Sequence, residues 1–291
     1  MSMIRRTTTQ HFSYPSLFAK KLALTALLII SSLAGAYAQG DLLISPLRVV
    51  FEGNKKSQEI SLANVGKDTA VYAVSIVDIR MKEDGSFETI TTPDSGQLFA
   101  GPYMRFFPRK VVLAPNESQV VKVQLMKTSQ MTPGEYRSHL YFRAVPEERP
   151  LGDAPSKKDS ASISIQLKPI FGITIPVIIR NGDNNADVSL SDMKLAYENN
   201  KYVMGVTFNR SGSMSVYGDL MVYYVPPTGK QVTMKTVKGL GVYTPNALRR
   251  FRVELDEEKN FDPKKGKLRA VYTLQTNDKT PKTKEIEMDL K

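Results

Sequence analysis

Beyond residue 39 the chain alternates apolar and polar positions with a period of two, in short runs of β-branched and aromatic residues. Almost no stretch carries the 3.6-residue period of an amphipathic helix. Ile60 and Leu62 share a face, as do Tyr72, Val74 and Ile76; Val121, Val123 and Leu125 form the next row, then Leu140, Phe142 and Ala144. The punctuation between rows fits: Glu83–Ser86 reads as a hairpin turn, and Ala114–Glu117 and Thr132–Gly134 as further turns. About seven strands, each with one polar face, is the pattern of an immunoglobulin-like sandwich.

The run Ser162–Arg180 differs, being long, nearly uncharged and rich in isoleucine. Ile163, Ile165 and Leu167 alternate with polar neighbours, and Pro176 then interrupts an otherwise apolar stretch. Because proline lacks a ladder donor, the run is read as one long strand with a break or kink at Pro176. Asn181–Asn185 is a turn or linker. Alternation then resumes at Met204, Val206 and Phe208, at Leu220, Val222 and Tyr224, and at Phe251, Val253 and Leu255. Ala270, Tyr272 and Leu274 and finally Ile286, Met288 and Leu290 complete it, with turns at Asn199–Asn200, Pro226–Gly229 and Asn277–Asp278. A second sandwich of about 110 residues is expected. The fold class is therefore all-β, two immunoglobulin-like β-sandwich domains joined by a short linker, the first spanning 39–180 and the second 181–291.

The first 38 residues have another character. Arg5, Arg6, Lys20 and Lys21 precede the apolar run Leu22–Leu33, and Ala36 and Ala38 place small residues where a signal peptidase inspects the chain. A basic segment, a short apolar core and an A-x-A site together read as a cleaved secretory signal peptide over 1–38. The apolar run is short of the ~20 residues that a spanning helix needs. Removing it lowers the formal charge from +11 to +7, since four basic and no acidic residues leave with it. The remaining basic residues are scattered among acidic ones, which does not suit nucleic-acid binding.

Composition limits the chemistry. There is no cysteine, hence no disulfide, thiolate nucleophile or thiolate metal site. Of the two histidines, His11 lies in the signal segment, and His139 alone supports neither a histidine metal cluster nor a Ser-His-Asp triad. Asp256, Glu257 and Glu258 read as a solvated turn, and Gly239-Leu240-Gly241 lacks the third glycine and the helix of a dinucleotide loop. The sequence thus points to a non-enzyme without cofactor, metal or small-molecule substrate.

Four segments, in order, resemble the periplasmic pilus and fimbrial assembly chaperones of the PapD type. They are Ile44–Phe51 with Arg48 before an apolar triplet, Ser57–Gly66 with its Asn64 turn, Phe107–Val123, and Pro133–Pro146. They cover most of 42–180; the second half matches only in length and β character. The resemblance implies a periplasmic chaperone that caps pilin-like or surface-fibre subunits by donor-strand complementation, with an outer-membrane usher as a further candidate partner. Edge pairing is the physics: a lent strand satisfies a subunit's open backbone while alternate side chains fill its groove. The alternative is an exported immunoglobulin-like binding or scaffold protein that lends no strand.

Carried onto this sequence, the donor strand is Ile163, Ile165, Leu167 and Phe171. Strand parity alone leaves open whether these side chains enter a foreign groove or pack at home. Arg48 resembles the arginine that grips the subunit's terminal carboxylate, a task suited to a planar guanidinium, whereas an idle strand arginine would point to solvent. The family's second cation, a lysine, falls near Pro176, and Lys168 is the basic residue that could substitute. Arg180 resembles an arginine that fixes the angle between domains, against the reading of a solvated linker residue; its glutamate partner falls at Arg137, with Glu135 nearby.

Overall fold

The computed structural model describes residues 42–146, 170–183, 185–276 and 281–291. Residues 1–38, and with them the signal-peptide reading, lie outside these, as does the Asn277–Asp278 turn.

Ten short strands build the first sandwich: β1 Leu42–Ser45, β2 Val49–Phe51, β3 Ser57–Asn64, β4 Ala70–Met81, β5 Phe87–Ile90, β6 Met104–Phe107, β7 Lys110–Leu113, β8 Ser118–Leu125, β9 Gly134–Ala144 and β10 Gly172–Asn181. One sheet runs β1-β3-β8-β6. The facing sheet runs β2-β10-β9-β4-β5, with β7 also paired to β4. Two of the three strands beyond the seven expected arise because the chain twice changes sheets at a proline. Pro46 separates β1 from β2, and Pro108 separates β6 from β7, so two runs that alternate like single strands each serve both sheets.

The alternating rows supply the core. Ile60, Leu62, Val121, Val123, Leu140 and Phe142 are fully enclosed, one face per strand as period-2 geometry requires. Burying a side chain of this size contributes about 1.5–3 kcal/mol. Asn64, itself buried, shapes the turn after β3: its amide donates to the carbonyls of Asp68 and Leu113 at 2.8 and 3.0 Å, and its oxygen accepts the Gly66 N–H.

The second sandwich comprises β11 Ala186–Glu198, β12 Lys201–Gly212, β13 Val216–Val225, β14 Val232–Val242, β15 Leu248–Glu254, β16 Lys267–Leu274 and β17 Lys282–Asp289. Its sheets run β11-β12-β15 and β14-β13-β16-β17 around Met204, Phe208, Leu220, Val222, Tyr224 and Tyr272. Asn199 and Asn200 both take positive φ, the two-residue hairpin turn that asparagine tolerates, between β11 and β12. Two all-β sandwiches of immunoglobulin-like architecture result. A third small cluster, Met81, Ile178 and Tyr243 with Val50 against it, joins them, since Tyr243 belongs to the second and the others to the first.

Pro176 does not break its strand. The register of β10 on β9 runs without a shift from Gly172–Arg143 to Asn181–Gly134, proline included. The strand tolerates it because this half of β10 is an edge, where a missing ladder donor has no partner to lose.

Candidate functional site

β10 is flanked unequally. On one side β9 pairs with all of it; on the other, β2 pairs in parallel with only Val177, Ile178 and Ile179. Among the described residues Gly172–Pro176 therefore presents an open sheet edge. The ladder to β9 reaches one residue further, the Ala144 N–H donating to the Phe171 carbonyl at 2.9 Å.

The side chains of β10 divide by parity. Ile175, Val177 and Ile179 are buried in the first sandwich, with Ile173 partly covered against it. Phe171 continues this row and is 63% exposed. The apolar row thus starts at home and runs off the end of its own core at Phe171. Ile163, Ile165, Leu167 and Lys168, the remaining sequence candidates, lie outside the described residues.

The opposite parity faces the second sandwich and forms rows across β2, β10 and β9. In the middle row Ile178 stands between Val50 and Arg137. One step on, Arg180 lies between Glu52 and Glu135, bonding to them at 3.1 and 3.2 Å. Glu135 also accepts the Ser215 N–H at 3.1 Å, the Ser215 hydroxyl and the Thr244 hydroxyl, so strand residues of one sandwich hold loop residues of the other. Arg180 is thereby paired with two carboxylates where the two sandwiches meet.

One step the other way, Pro176 lies opposite His139, with Arg48 just before β2 on its other side. The guanidinium of Arg48 stacks on the Tyr217 ring, 4.4 Å from its centroid, and its Nε and Nη2 are enclosed with no hydrogen-bond partner among the described residues. Arg137 is 2% exposed and lies 4.6 Å from the Tyr243 ring centroid. Its Nη2 donates to the Thr244 carbonyl at 3.3 Å, while Nε and Nη1 have no such partner. Burial lowers the pKa of both guanidinium groups. Enclosed cations with unsatisfied donors are expensive unless an anion or water completes them.

His139 shares this setting. It packs edge-on against Phe87 at 6.3 Å, its Nδ1 is enclosed without a partner, and burial, then the Arg137 charge, push its pKa down to about 3. In the sequence Arg137 stands only at the position of the family's glutamate and His139 only as a lone histidine, and neither is assigned to a site. On β9 the alternation of Glu135, Arg137, His139 and Tyr141 with Tyr136, Leu140 and Phe142 looks like a solvated face backing a core face. Here the polar face is covered by the second sandwich, and Glu135, Arg137 and His139 are all buried.

Beside this row a cleft of about 360 Å³ opens between the sandwiches, reached by Leu47, Phe87, Thr174, Pro176, Tyr217 and Arg249. Among the described residues no group of three or more His, Asp or Glu side chains could hold a metal ion.

The class that the geometry defines is a two-sandwich β protein with a half-open strand edge leading into a cationic junction. No family model matches the chain, and no curated protein does. Similar solved structures include the CsuC–CsuE chaperone–tip adhesion subunit pre-assembly complex of Acinetobacter baumannii, at TM-score 0.45 and 11% identity over 84% of this chain and 98% of that one. The YadV chaperone is similar at TM-score 0.43 and 12% identity, over 86% and 100% of the two chains. The Salmonella enterica SafA pilin–SafB chaperone complex is similar at 0.41 and 10%, over 87% and 99%.

Proposed function

We propose that this protein is a periplasmic, non-enzymatic assembly chaperone that caps pilin-like or other surface-fibre subunits by lending them the free edge of β10. The observation that carries the reading is the edge itself: among the described residues Gly172–Pro176 is paired on one side only, and the apolar row of β10 leaves its own core at Phe171. Such an edge is an aggregation hazard that folded proteins ordinarily blunt with charge, proline or bulges; residues 170–175 carry neither charge nor proline, and the register on β9 runs without a shift from Gly172 on. A subunit lacking one strand would gain backbone pairing from this edge and side chains for its groove. The basic and apolar N-terminal segment supports export to the periplasm.

In this reading Arg48 holds the subunit's terminal carboxylate, Ile163, Ile165, Leu167 and Phe171 form the lent strand, and Lys168 is the candidate second cation. Arg180, through Glu135 and Glu52, fixes the angle between a domain of 39–180 and one of 181–291. An outer-membrane usher would accept the complex.

The test is co-expression of the exported chain with a candidate fibre subunit. Wild type is expected to carry the subunit stoichiometrically through purification, and Phe171→Asp to lose it at unchanged thermal stability, since the side chain is exposed. Stoichiometric retention by Phe171→Asp would overturn the proposal.

A further inference from the structure

β4 outruns its sheet. β9 pairs with it from Tyr72 to Val77; beyond that, Asp78–Met81 is laddered only to β5, so the two strands leave the sandwich as a ribbon. Among the described residues β5 pairs with no other strand. A two-stranded ribbon is at best marginally stable by itself, so its position is set by what it rests on.

The base of the ribbon rests on the first sandwich. Arg80 donates to both carboxylate oxygens of Asp94, at 2.6 and 2.5 Å, and the Gln97 amide donates to the Ile79 carbonyl at 3.2 Å. The tip rests on the second sandwich. There the Arg250 N–H of β15 donates to the Glu83 carbonyl at 2.6 Å, and the Asn246 amide donates to the Met81 carbonyl at 2.8 Å. The Arg250 guanidinium also pairs with the Glu83 carboxylate. Gly85 closes the turn at φ +85°, and the Arg249 guanidinium lies where a Cβ on Gly85 would stand. Met81 is the one buried peg of the tip, packed with Ile178 and Tyr243.

The footing of the tip is the weaker one. The Glu83 and Arg250 side chains are both more than half exposed, and an exposed ion pair contributes little and is screened by salt. Phe87 reaches over His139 and Tyr243, at 6.3 and 6.4 Å between ring centroids, yet more than half of it faces water. The Glu135 tie, by contrast, is enclosed. The cleft between the sandwiches depends on the ribbon, because Ile79, Met81 and Phe87 supply one of its walls and stand against Tyr243 and Arg249.

We propose that Met81–Phe87 is a strap: it peels from the second sandwich about the anchored base at Ile79 and Arg80 while the Glu135 tie holds the sandwiches together. Peeling removes a wall of the cleft, uncovers Tyr243 and Arg249, and admits a partner surface larger than the closed cleft holds. The strap is independent of strand lending, since it lies on the β4–β5 ribbon and not on β10.

Amide exchange and thiol labelling of the full exported chain test it. In wild type the Arg250 N–H reports the strap, the Leu255 N–H, bonded to the Tyr202 carbonyl, reports β15 within its own sandwich, and the Ser215 N–H reports the Glu135 tie. Arg250 is expected to exchange at least about 100-fold faster than the other two, as a local opening does. Raising NaCl from about 0.05 to about 0.5 M, or Glu83→Gln at low salt, should speed Arg250 about two- to fivefold and leave Leu255 and Ser215 unchanged. Because the chain has no cysteine, the thiol of Met81→Cys can be followed alone. An aromatic disulfide reagent should label it at least about 100-fold faster than the thiol of Val121→Cys in the first core. Exchange of Arg250 no faster than Leu255, Ser215 accelerating in step with Arg250, indifference of Arg250 to both salt and Glu83→Gln, or equal labelling of the two thiols overturns the proposal.

Discussion

Glu135 on β9 accepts the backbone N–H of Ser215, which immediately precedes β13, at 3.1 Å on each carboxylate oxygen. The Glu135 side chain is fully enclosed and also meets Arg180 at 3.2 Å, so one anion ties the two sandwiches. Without this carboxylate Arg180 keeps Glu52 at 3.1 Å, but the buried Ser215 N–H and hydroxyl lose their acceptor, at about 1–3 kcal/mol each. Glu135→Ala is therefore expected to lower the unfolding free energy by about 2–4 kcal/mol, and Glu135→Gln, which keeps an acceptor, by about 1–2 kcal/mol. Urea denaturation measures both; a loss below about 1 kcal/mol for the alanine variant would remove this carboxylate from the list of stabilising contacts.

Arg137 makes the opposite prediction. Among the described residues two of its nitrogens are enclosed without partners, against a 3.3 Å bond and a ring contact. Replacing a buried, poorly satisfied charge by an apolar side chain of similar volume is often stabilising by about 1–4 kcal/mol. Arg137→Met should raise the melting temperature of the isolated protein. A fall would mean that the guanidinium is better compensated than its geometry indicates.

His139 gives stability a pH dependence. Its folded pKa is about 3 against an ordinary 6.5, because burial and the Arg137 charge disfavour the imidazolium. Between these values the unfolded chain binds a proton that the folded chain does not. Stability is then complete above pH 6.5 and is lost as pH falls toward 3, by up to about 1.4 kcal/mol per pH unit. Asp78 works against this, since burial raises its pKa and its protonation favours the folded state on acidification. The comparison is therefore between wild type and His139→Gln, whose denaturation midpoint should fall less steeply on acidification. Parallel profiles would refute it.

Ile170 and Phe171 are exposed side by side at the open edge. An apolar edge of this kind drives self-association. The double variant Ile170→Lys and Phe171→Lys should keep the wild-type melting temperature within about 0.5 kcal/mol of stability, as surface changes do. Its sedimentation should show less concentration-dependent association than wild type; equal association would place the sticky surface elsewhere.

Much of the architecture is legible from alternation alone, because rows such as Ile60–Leu62 and Leu140–Phe142 face a core in which nothing else competes. Two aspects are not. Period-2 alternation cannot distinguish a strand from two half-strands in different sheets, so the passages at Pro46 and Pro108 escape it. Nor does it say what covers a polar face. Arg137 and His139 look solvated in the sequence because their burial depends on residues about a hundred positions away, Tyr243 and Thr244, folding over β9. Arg48 is legible for a local reason: it is a charge set between Leu47 and Val49 in an apolar run. The edge at Gly172–Pro176 is not, since it follows from how short β2 is.

That Ile175, Val177 and Ile179 are locked inside the first sandwich reaches beyond stability. A β ribbon slipped by one position would turn its whole complement of side chains inside out. With three consecutive teeth of the same comb clamped in the interior, the phase of Ile173 and Phe171 is set as well, and a chain laid along Gly172–Pro176 would meet faces whose identity is already decided. The hydrophobic interior thus doubles as an index mark for an edge that lies outside it.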